Sequence, residues 1–265
     1  MIRKQESMKA IFISDAHLKH TRDERYVQLI HFLSDLKAGK VRELAGAEGP
    51  EAGITSIDDL FILGDFFDFW FCAKDNIYPE FQQIIHKLVE LQKTGVRIHF
   101  CEGNHDFFLK EYFQDVLRMN VYEEWASIQL DQLQVLISHG DTADTGDAVY
   151  RVFRRLLRSR AFYRIQRMIP ASLRWAIANF TSRASKEMND DNSEYLVDKM
   201  LSFATEKLRG EYDAVIMGHC HKPVLRFFEV EGKKKTFVTL GDWINHYSYL
   251  YYENRKFTLS YYRPR

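Results

Sequence analysis

Five short motifs, each at the end of an apolar run, bring together aspartate, asparagine and histidine residues. They read SDAH (14–17), GDFFD (64–68), GNHD (103–106), SHGD (138–141) and GHCH (218–221). The candidate metal ligands in them are Asp15, His17, Asp65, Asn104, His139, His219 and His221. Imidazole nitrogens combined with carboxylate and amide oxygens suit Mn, Fe, Zn and similar divalent ions. Seven ligands exceed the needs of one ion, so we predict two ions that share a bridging carboxylate.

Each motif also has a plainer interpretation. Aspartate favours turns, and Gly-Asp and Gly-Asn are common turn dipeptides, so a single motif of this kind is more typical of a turn than of a ligand site. The same residue types after five separate apolar runs favour the metal site. Cys220 lies between two of the histidines and would point away from them in an extended segment, which predicts a packing residue.

The apolar runs and the segments between them predict the elements that position these residues. Strands are predicted at 10–14, 60–63, 96–100, 135–138 and 214–217, and helices at 23–37 and 80–94. This alternation predicts a layered α/β fold, in which ligand sites lie beyond the carboxyl ends of the strands, where all five motifs sit. Alternating segments at 224–231, 236–240, 247–252 and 256–262 predict a second sheet.

The size and composition of the chain favour one cytoplasmic domain. Its 265 residues are enough for a single large core, with residues 148–208 as a helical insertion, here called the lid insertion. No stretch approaches the roughly 20 apolar residues of a membrane-spanning helix. Three cysteines without a CxxC pair argue against a disulfide scaffold and favour a reducing compartment.

Arginine is concentrated in the lid insertion, although the chain as a whole has zero formal net charge. Between Ala148 and Lys186 there are nine arginines, one lysine and no acidic residue. The same helices carry the apolar residues Phe153, Leu156, Leu157, Phe162, Ile165 and Met168. Such a block indicates an anionic partner or a helix resting on a bilayer, and a solvated helix face is the alternative. No stacking platform accompanies the charge, so we expect no nucleic-acid partner, and nothing indicates an obligate protein partner.

An aromatic run follows Asp65. Its members are Phe66, Phe67, Phe69, Trp70 and Phe71. Such a run is more typical of core than of an acyl-chain pocket, so we predict core packing for most of it. Asp68 is the exception, because a carboxylate so close to Asp65 could orient a metal ligand.

The ordered motifs resemble those of the calcineurin-like metallophosphoesterases over nearly the whole chain. The resemblance implies a four-layer αββα sandwich with a two-metal site that hydrolyses phosphoesters or phosphoanhydrides. It implies one ion on Asp15, His17 and His221, another on Asn104, His139 and His219, and Asp65 as the bridge. Mn²⁺ is the expected ion, with Fe, Zn and Mg as alternatives that the ligand types admit.

Within that superfamily, three longer motifs resemble the UDP-2,3-diacylglucosamine hydrolase family. They are GDFFDFWF (64–71), HGDTADTGDAVYRVFRR (139–155) and RASKEMND (183–190), followed by GHCHKP (218–223). The resemblance implies cleavage of a nucleotide-linked lipid into UMP and a lipid 1-phosphate, with the lid insertion over the acyl chains and peripheral contact with the inner membrane. The implied substrate contacts are Asn104, His105, Asp147, Ser185, Asn189 and His219, and the implied catalytic residues are Asp65, Asn104 and His105.

Two positions depart from the best-known branch of that family. Asn192 stands where a lysine is usual, and His105 stands where an arginine is usual. Histidine is the residue of generic phosphoesterases, where it can protonate an alkoxide leaving group. A general phosphodiesterase or nucleotide phosphatase is therefore the alternative enzyme, and a non-catalytic binding scaffold is the alternative outside enzymes.

Overall fold

The computed structural model describes residues 7–42, 53–70, 72, 76–144, 146–170, 173 and 193–263. The strands are β1 (Ala10–Ile13), β2 (Val41–Arg42), β3 (Gly53–Ile54), β4 (Asp59–Leu63), β5 (Arg97–Cys101), β6 (Asn120–Tyr122), β7 (Ala126–Leu130), β8 (Leu133–Ser138), β9 (Ala214–Met217), β10 (Pro223–Val230), β11 (Lys233–Leu240), β12 (Ser248–Glu253) and β13 (Lys256–Tyr261). The helices are α1 (Glu24–Lys37), α2 (Gln82–Gln92), α3 (Ala148–Leu157), α4 (Arg160–Met168) and α5 (Ser193–Arg209). Short 3₁₀ and π turns occupy Pro79–Phe81 and Lys110–Gln114. All five strands and both helices predicted around the motifs are present.

The strands of the described residues form two main sheets. One has the order β13-β12-β1-β4-β5-β6, and the other has the order β10-β11-β9-β8-β7. β1, β4 and β5 run parallel in the first, and β8, β9 and β11 run parallel in the second. The carboxyl ends of parallel strands therefore gather at one edge of each sheet.

The alternation along β1 shows how the layers are built. Ile11 and Ile13 pack with α1 and α2, whereas Ala10 and Phe12 face the core between the two sheets. On the far side, α5 covers the second sheet through a cluster that includes Met200. The order of layers is helix, sheet, sheet, helix, which confirms the predicted αββα sandwich.

Two of the C-terminal strands belong to the first sheet. β12 pairs antiparallel with β1, so the prediction of a second sheet was right for β10 and β11 and wrong for β12 and β13. Tyr251 packs in the core under α1 while Leu250 packs between the sheets. Alternation indicates that both faces of a strand have a role, but it does not show which sheet the strand joins.

The lid insertion lies in the connection between β8 and β9, which are parallel neighbours. α3 and α4 belong to this connection, and α5 leads back to β9. Among the described residues, no helix combines the length and the apolar character that crossing a bilayer requires. The aromatic run is core as predicted: Phe66, Phe67, Phe69 and Trp70 are buried, and Phe71 lies outside the described residues.

Candidate metal centre

The five motifs meet where the parallel strands end. The first two motif loops run side by side, because Asp15 N donates to Gly64 O at 3.1 Å and His17 N donates to Asp65 O at 2.9 Å. The loops of the two sheets are joined where His219 N donates to the Asp15 carboxylate at 2.9 Å. Motifs from both sheets therefore share one site.

Three overlapping groups of side chains place potential ligand atoms within 4.8 Å of one another. The groups are Asp15, His17 and His221; Asp15, Asp65 and His139; and His17, Asp65 and His105. The remaining predicted ligands adjoin them. Asn104 Oδ1 lies 2.9 Å from His139 Nε2, and the His219 ring centre lies 5.0 Å from that of His139. All seven predicted ligands are thus brought together.

Two buried atoms of this cluster have no hydrogen-bond partner in the described part of the chain. They are Asp15 Oδ1 and His17 Nε2. His221 Nε2 lies 3.6 Å from Asp15 Oδ1, and His17 Nε2 lies 3.7 Å from Asp65 Oδ2. Leaving a buried polar atom unsatisfied costs about 1–3 kcal/mol, and a cation coordinated by these atoms would remove that cost. The donor set therefore fits a divalent metal ion.

His139 reports the electrostatic character of the site. Its Nδ1–H donates to the Leu63 carbonyl at 2.9 Å, which leaves Nε2 3.4 Å from Asp65 Oδ2. Burial alone would lower the pKa of this histidine, but the carboxylates of Asp65, Asp15 and Asp141 raise it to about 10. The pocket therefore attracts positive charge strongly, as a cation site must.

The pKa values of the neighbouring histidines shift in opposite directions. Burial would lower the pKa of His221, but Asp15 and Asp242 raise it to about 9. Burial and the nearby His139 lower the pKa of His219 to about 4, and burial holds that of His17 well below its ordinary value. His17 and His219 are consequently neutral near pH 7, the form in which imidazole binds metal.

Five of the seven residues have left-handed backbone conformations. Their φ angles run from 43° to 71°, in Asp15, His17, Asp65, His219 and His221. For residues other than glycine this conformation costs about 1–3 kcal/mol each and persists only where surrounding contacts enforce it. Two glycines allow the close packing: a Cβ on Gly103 would overlap Asp65 Oδ1, and one on Gly218 would lie 2.6 Å from Asp15 Oδ2. The loops are held in strained conformations that aim the side chains at one another.

Two carboxylates that the sequence reasoning did not select support the ligands. Asp106 is fully buried, and it accepts the N–H groups of Asp65, Phe66, Phe67 and Gly103 at 2.7–3.1 Å. It ties the loop after β4 to the loop after β5. The motif GNHD contains it, so its position was visible in the sequence but its role was not.

The second is Asp242. Its Oδ2 lies 3.7 Å from His221 Nδ1, and its Oδ1 accepts three backbone N–H groups of residues 244–246. Burial would raise the pKa of this carboxyl, but the His221 ring, the backbone N–H of Asn245 and the side chain and backbone N–H of His246 hold it below its usual value. Asp242 follows β11 as Gly-Asp, the same signal that marks Asp65 after β4, and this sixth motif could have been found. Asp68, the carboxylate predicted to orient a ligand, lies 3.9 Å from His17 Nδ1.

The other predicted residues are distributed differently. Asp147 is exposed and caps α3 by accepting Tyr150 N at 2.8 Å, and no hydrogen bond or ion pair among the described residues joins it to the cluster. Ser185, Asn189 and Asn192 lie outside the described residues. Cys220 is buried in the core cluster under α5, in agreement with its prediction as a packing residue.

The comparisons with known proteins agree with this geometry. The family model for calcineurin-like phosphoesterase matches residues 8–223. A protein of Nitrosococcus oceani named UDP-2,3-diacylglucosamine hydrolase is 32% identical over 89% of this chain and 88% of its own length. A protein of the same name from Aeromonas hydrophila is 29% identical over 92% of this chain and 94% of its own length. Another from Yersinia pseudotuberculosis is 30% identical over 89% of this chain and 91% of its own length. Because the matched residues include all five motifs that carry the predicted metal ligands, this chain belongs to the calcineurin-like phosphoesterase family of metal-dependent hydrolases.

Proposed function

We propose that this chain hydrolyses the phosphoanhydride bond of UDP-2,3-diacylglucosamine. Water is added across the bond, which gives UMP and 2,3-diacylglucosamine 1-phosphate. The observation that carries the proposal is the likeness to relatives named for this reaction over about nine-tenths of the chain, 89% for the Nitrosococcus relative. The complete convergent set of seven aspartate, asparagine and histidine side chains supports a catalytic role over a scaffold.

The metal ligands are assigned as the family pattern implies. Asp15, His17 and His221 would hold one ion, Asn104, His139 and His219 would hold the other, and Asp65 would be shared by both. We propose Mn²⁺ for both positions. Divalent ions bound there would supply positive charge to the phosphoryl oxygens and lower the pKa of a water molecule toward neutrality.

His105 is assigned to the substrate phosphate. Its Nδ1–H donates to the Asp68 carbonyl at 3.1 Å, so the ring is fixed with Nε2 on the opposite side. Its backbone N–H donates to Asp65 Oδ1 at 2.9 Å, which ties it to the bridging carboxylate. Protonated Nε2 can donate to a phosphoryl oxygen or to the leaving oxygen. Asn104 and His219 complete the contacts from the metal centre, and Asp147, Ser185 and Asn189 are proposed contacts to the rest of the substrate.

The first test is UMP release from UDP-2,3-diacylglucosamine by the purified chain with Mn²⁺. We expect turnover that disappears on chelation with EDTA and returns with added Mn²⁺, because no protein group in the cluster replaces the charge of two cations. A chain that binds Mn²⁺ and rapidly cleaves a soluble diester, but releases no UMP, would refute the proposed substrate.

His105 favours one second candidate, a phosphodiesterase with an alkoxide leaving group. We expect the His105→Ala variant to lose less than about tenfold in kcat on the lipid substrate, whose phosphate monoester leaves readily. On 2′,3′-cyclic AMP we expect a loss of about 10²–10⁴-fold if the parent cleaves it, because an alkoxide needs a proton donor. Turnover by the parent and by His105→Ala, measured on each substrate, gives the two losses in kcat. A parent chain that leaves 2′,3′-cyclic AMP intact eliminates the second candidate.

The outer surface of α3 and α4 supports contact with a bilayer. Val152, Leu156, Ile165 and Met168 are 60–83% exposed, at helical spacing within each helix. The exposed arginines of these helices include Arg151, Arg160 and Arg164, which form no ion pair within the described ranges. An apolar stripe flanked by free arginines suits the surface of an anionic bilayer. We assign the lid insertion to both substrate cover and peripheral membrane contact.

Sedimentation with vesicles tests the membrane contact. The parent should bind vesicles of phosphatidylethanolamine and phosphatidylglycerol, and the Leu156→Ser, Ile165→Ser double variant should bind at least about tenfold more weakly, because two apolar side chains no longer enter the bilayer. Val116→Ser is the matched control, since Val116 is 47% exposed outside the lid insertion. Equal binding of the double variant and the control would exclude this surface as the contact.

A further inference from the structure

The arginines of α3 and of its C-cap, Arg158, do not form a single class. Arg151 and Arg155 are exposed and form no ion pair among the described residues, whereas Arg154 and Arg158 turn toward the sandwich. The side chains of the latter two are each only 12% exposed. The prediction that the arginine block serves an anionic partner therefore cannot account for these two residues.

Arg154 is joined to the motif after β8. Its Nε donates to Asp141 Oδ2 at 2.7 Å, and the hydroxyl of Tyr150 donates to the same oxygen at 2.7 Å. Its Nη1 also donates to Glu124 at 2.7 Å. Asp141 is buried two residues beyond His139, so α3 is anchored next to one proposed ligand.

Arg158 is joined to the motif after β5. Its guanidinium donates to Glu102 Oε2 at 2.8 Å, to the Gly103 carbonyl at 2.7 Å and to the Glu123 carbonyl at 3.1 Å. It also lies 5.3 Å from the centre of the Phe107 ring. A planar fork with several donors can hold two acceptors of one loop at once, which the single ammonium of lysine cannot reproduce.

The two acceptors, Glu102 and the Gly103 carbonyl, lie in the loop that carries Asn104 and His105. Glu102 is buried, and its other oxygen accepts Leu109 N at 2.8 Å, so this carboxylate joins the two ends of the loop 102–109. Gly103 packs so tightly on Asp65 that even a Cβ has no space. Asn104 and His105 follow immediately. A shift of the Gly103 carbonyl must therefore displace both side chains relative to Asp65.

We propose that Arg158, which belongs to the lid insertion, is a positioning residue of the metal centre. It fixes Glu102 and the Gly103 carbonyl, and it thereby sets the position of Asn104 relative to Asp65 and His139. The inference rests on the assignment of Asn104 as a ligand in the proposed function. It gives α3 a part in building the centre, in addition to covering it. Arg154 secures the same helix at Asp141.

The plainer explanation is that Arg158 only neutralises buried Glu102. The two explanations differ for a variant in which both charges are removed, Glu102→Gln with Arg158→Met. Charge neutralisation predicts that this double variant regains what Arg158→Met loses. Positioning predicts that it does not, because the Gly103 carbonyl still lacks its donor.

Calorimetric titration with Mn²⁺ alone, on the full chain, measures the effect. The parent and Arg155→Met, an exposed arginine of the same helix, should each bind two equivalents with the same affinities. Arg158→Met, the double variant and Arg158→Lys should bind at least one equivalent about tenfold or more weakly, as is common when a residue that orients metal ligands is removed. Arg158→Lys keeps the charge beside Glu102, so it guards against a variant that fails to fold.

Either of two results overturns the proposal: parental affinities in Arg158→Met, or parental affinities restored in the double variant. The readout does not depend on the substrate. A parent that binds two Mn²⁺ ions but releases no UMP would refute the proposed function and leave this inference standing, whereas a parent that binds no Mn²⁺ would overturn both.

Discussion

Replacing Asp65 by asparagine is expected to lower kcat for UMP release by at least about 10³-fold, because the variant removes a full negative charge from the centre of the site. Asp65 Oδ2 lies 3.7 Å from His17 Nε2 and 3.4 Å from His139 Nε2, so both proposed ion positions share it. The histidines around Asp65 hold its pKa well below the ordinary value although burial would raise it, which keeps the carboxylate ionised.

Asparagine preserves the shape of the side chain and an oxygen for the His105 N–H, so the variant should fold. Initial rates with saturating Mn²⁺ and a parallel Mn²⁺ titration measure the effect on turnover and on binding separately. Asp198→Asn is the control, because Asp198 is exposed on α5 and forms no ion pair in the described ranges. A kcat within tenfold of the parent would remove Asp65 from the bridging position.

The second large effect is on stability. Asp106→Ala should leave four buried backbone N–H groups without an acceptor, those of Asp65, Phe66, Phe67 and Gly103. Each orphaned donor costs about 1–3 kcal/mol, so the loss is at least about 4 kcal/mol of the roughly 5–15 kcal/mol that stabilises a typical domain. For a chain of this size the melting temperature should fall by more than about 8 °C.

Thermal unfolding of the metal-free protein, followed by circular dichroism, measures that loss without a contribution from bound ions. Asp106→Asn keeps one acceptor oxygen and should fall between the parent and the alanine variant. Asp198→Ala, on the exposed face of α5, should melt with the parent. A melting temperature for Asp106→Ala within about 2 °C of the parent would show that water or neighbouring groups replace the lost acceptor.

The sequence predicted the metal-ligating residues of the centre better than the residues that hold them in place. Strand ends and ligand types are local signals, so Asp15, Asp65 and His139 could be predicted from the runs that precede them. Their convergence followed from the rule that parallel strands gather their carboxyl ends, and β1 with β4 and β8 with β9 obey it. The alternation of strands and helices predicted a layered α/β fold, and the resemblance to the metallophosphoesterases implied its four-layer αββα order.

Long-range partners could not be predicted in this way. Nothing in the sequence near Arg158 shows that Glu102 accepts from it, since 56 residues separate the two. The same limitation applies to β12. Its pairing with β1 depends on the edge that β1 offers, and the residue pattern of β12 does not reveal it. Asp242 is different, because its Gly-Asp signal after β11 was present and needed only to be compared with that of Asp65.

The connection between β8 and β9 has a consequence for how such proteins diversify. Two neighbouring parallel strands always need a crossover connection. The entropic free-energy cost of closing that connection grows by only about 0.6 kcal/mol for each doubling of its length. Substitutions in α3 and α4 are therefore tolerated at low energetic cost. Under the proposed function they would change the range of accepted substrates while the proposed ligands stay in place. The contacts of Arg154 and Arg158 set the limit on that freedom, because a new connection must still provide groups that hold the two motif loops.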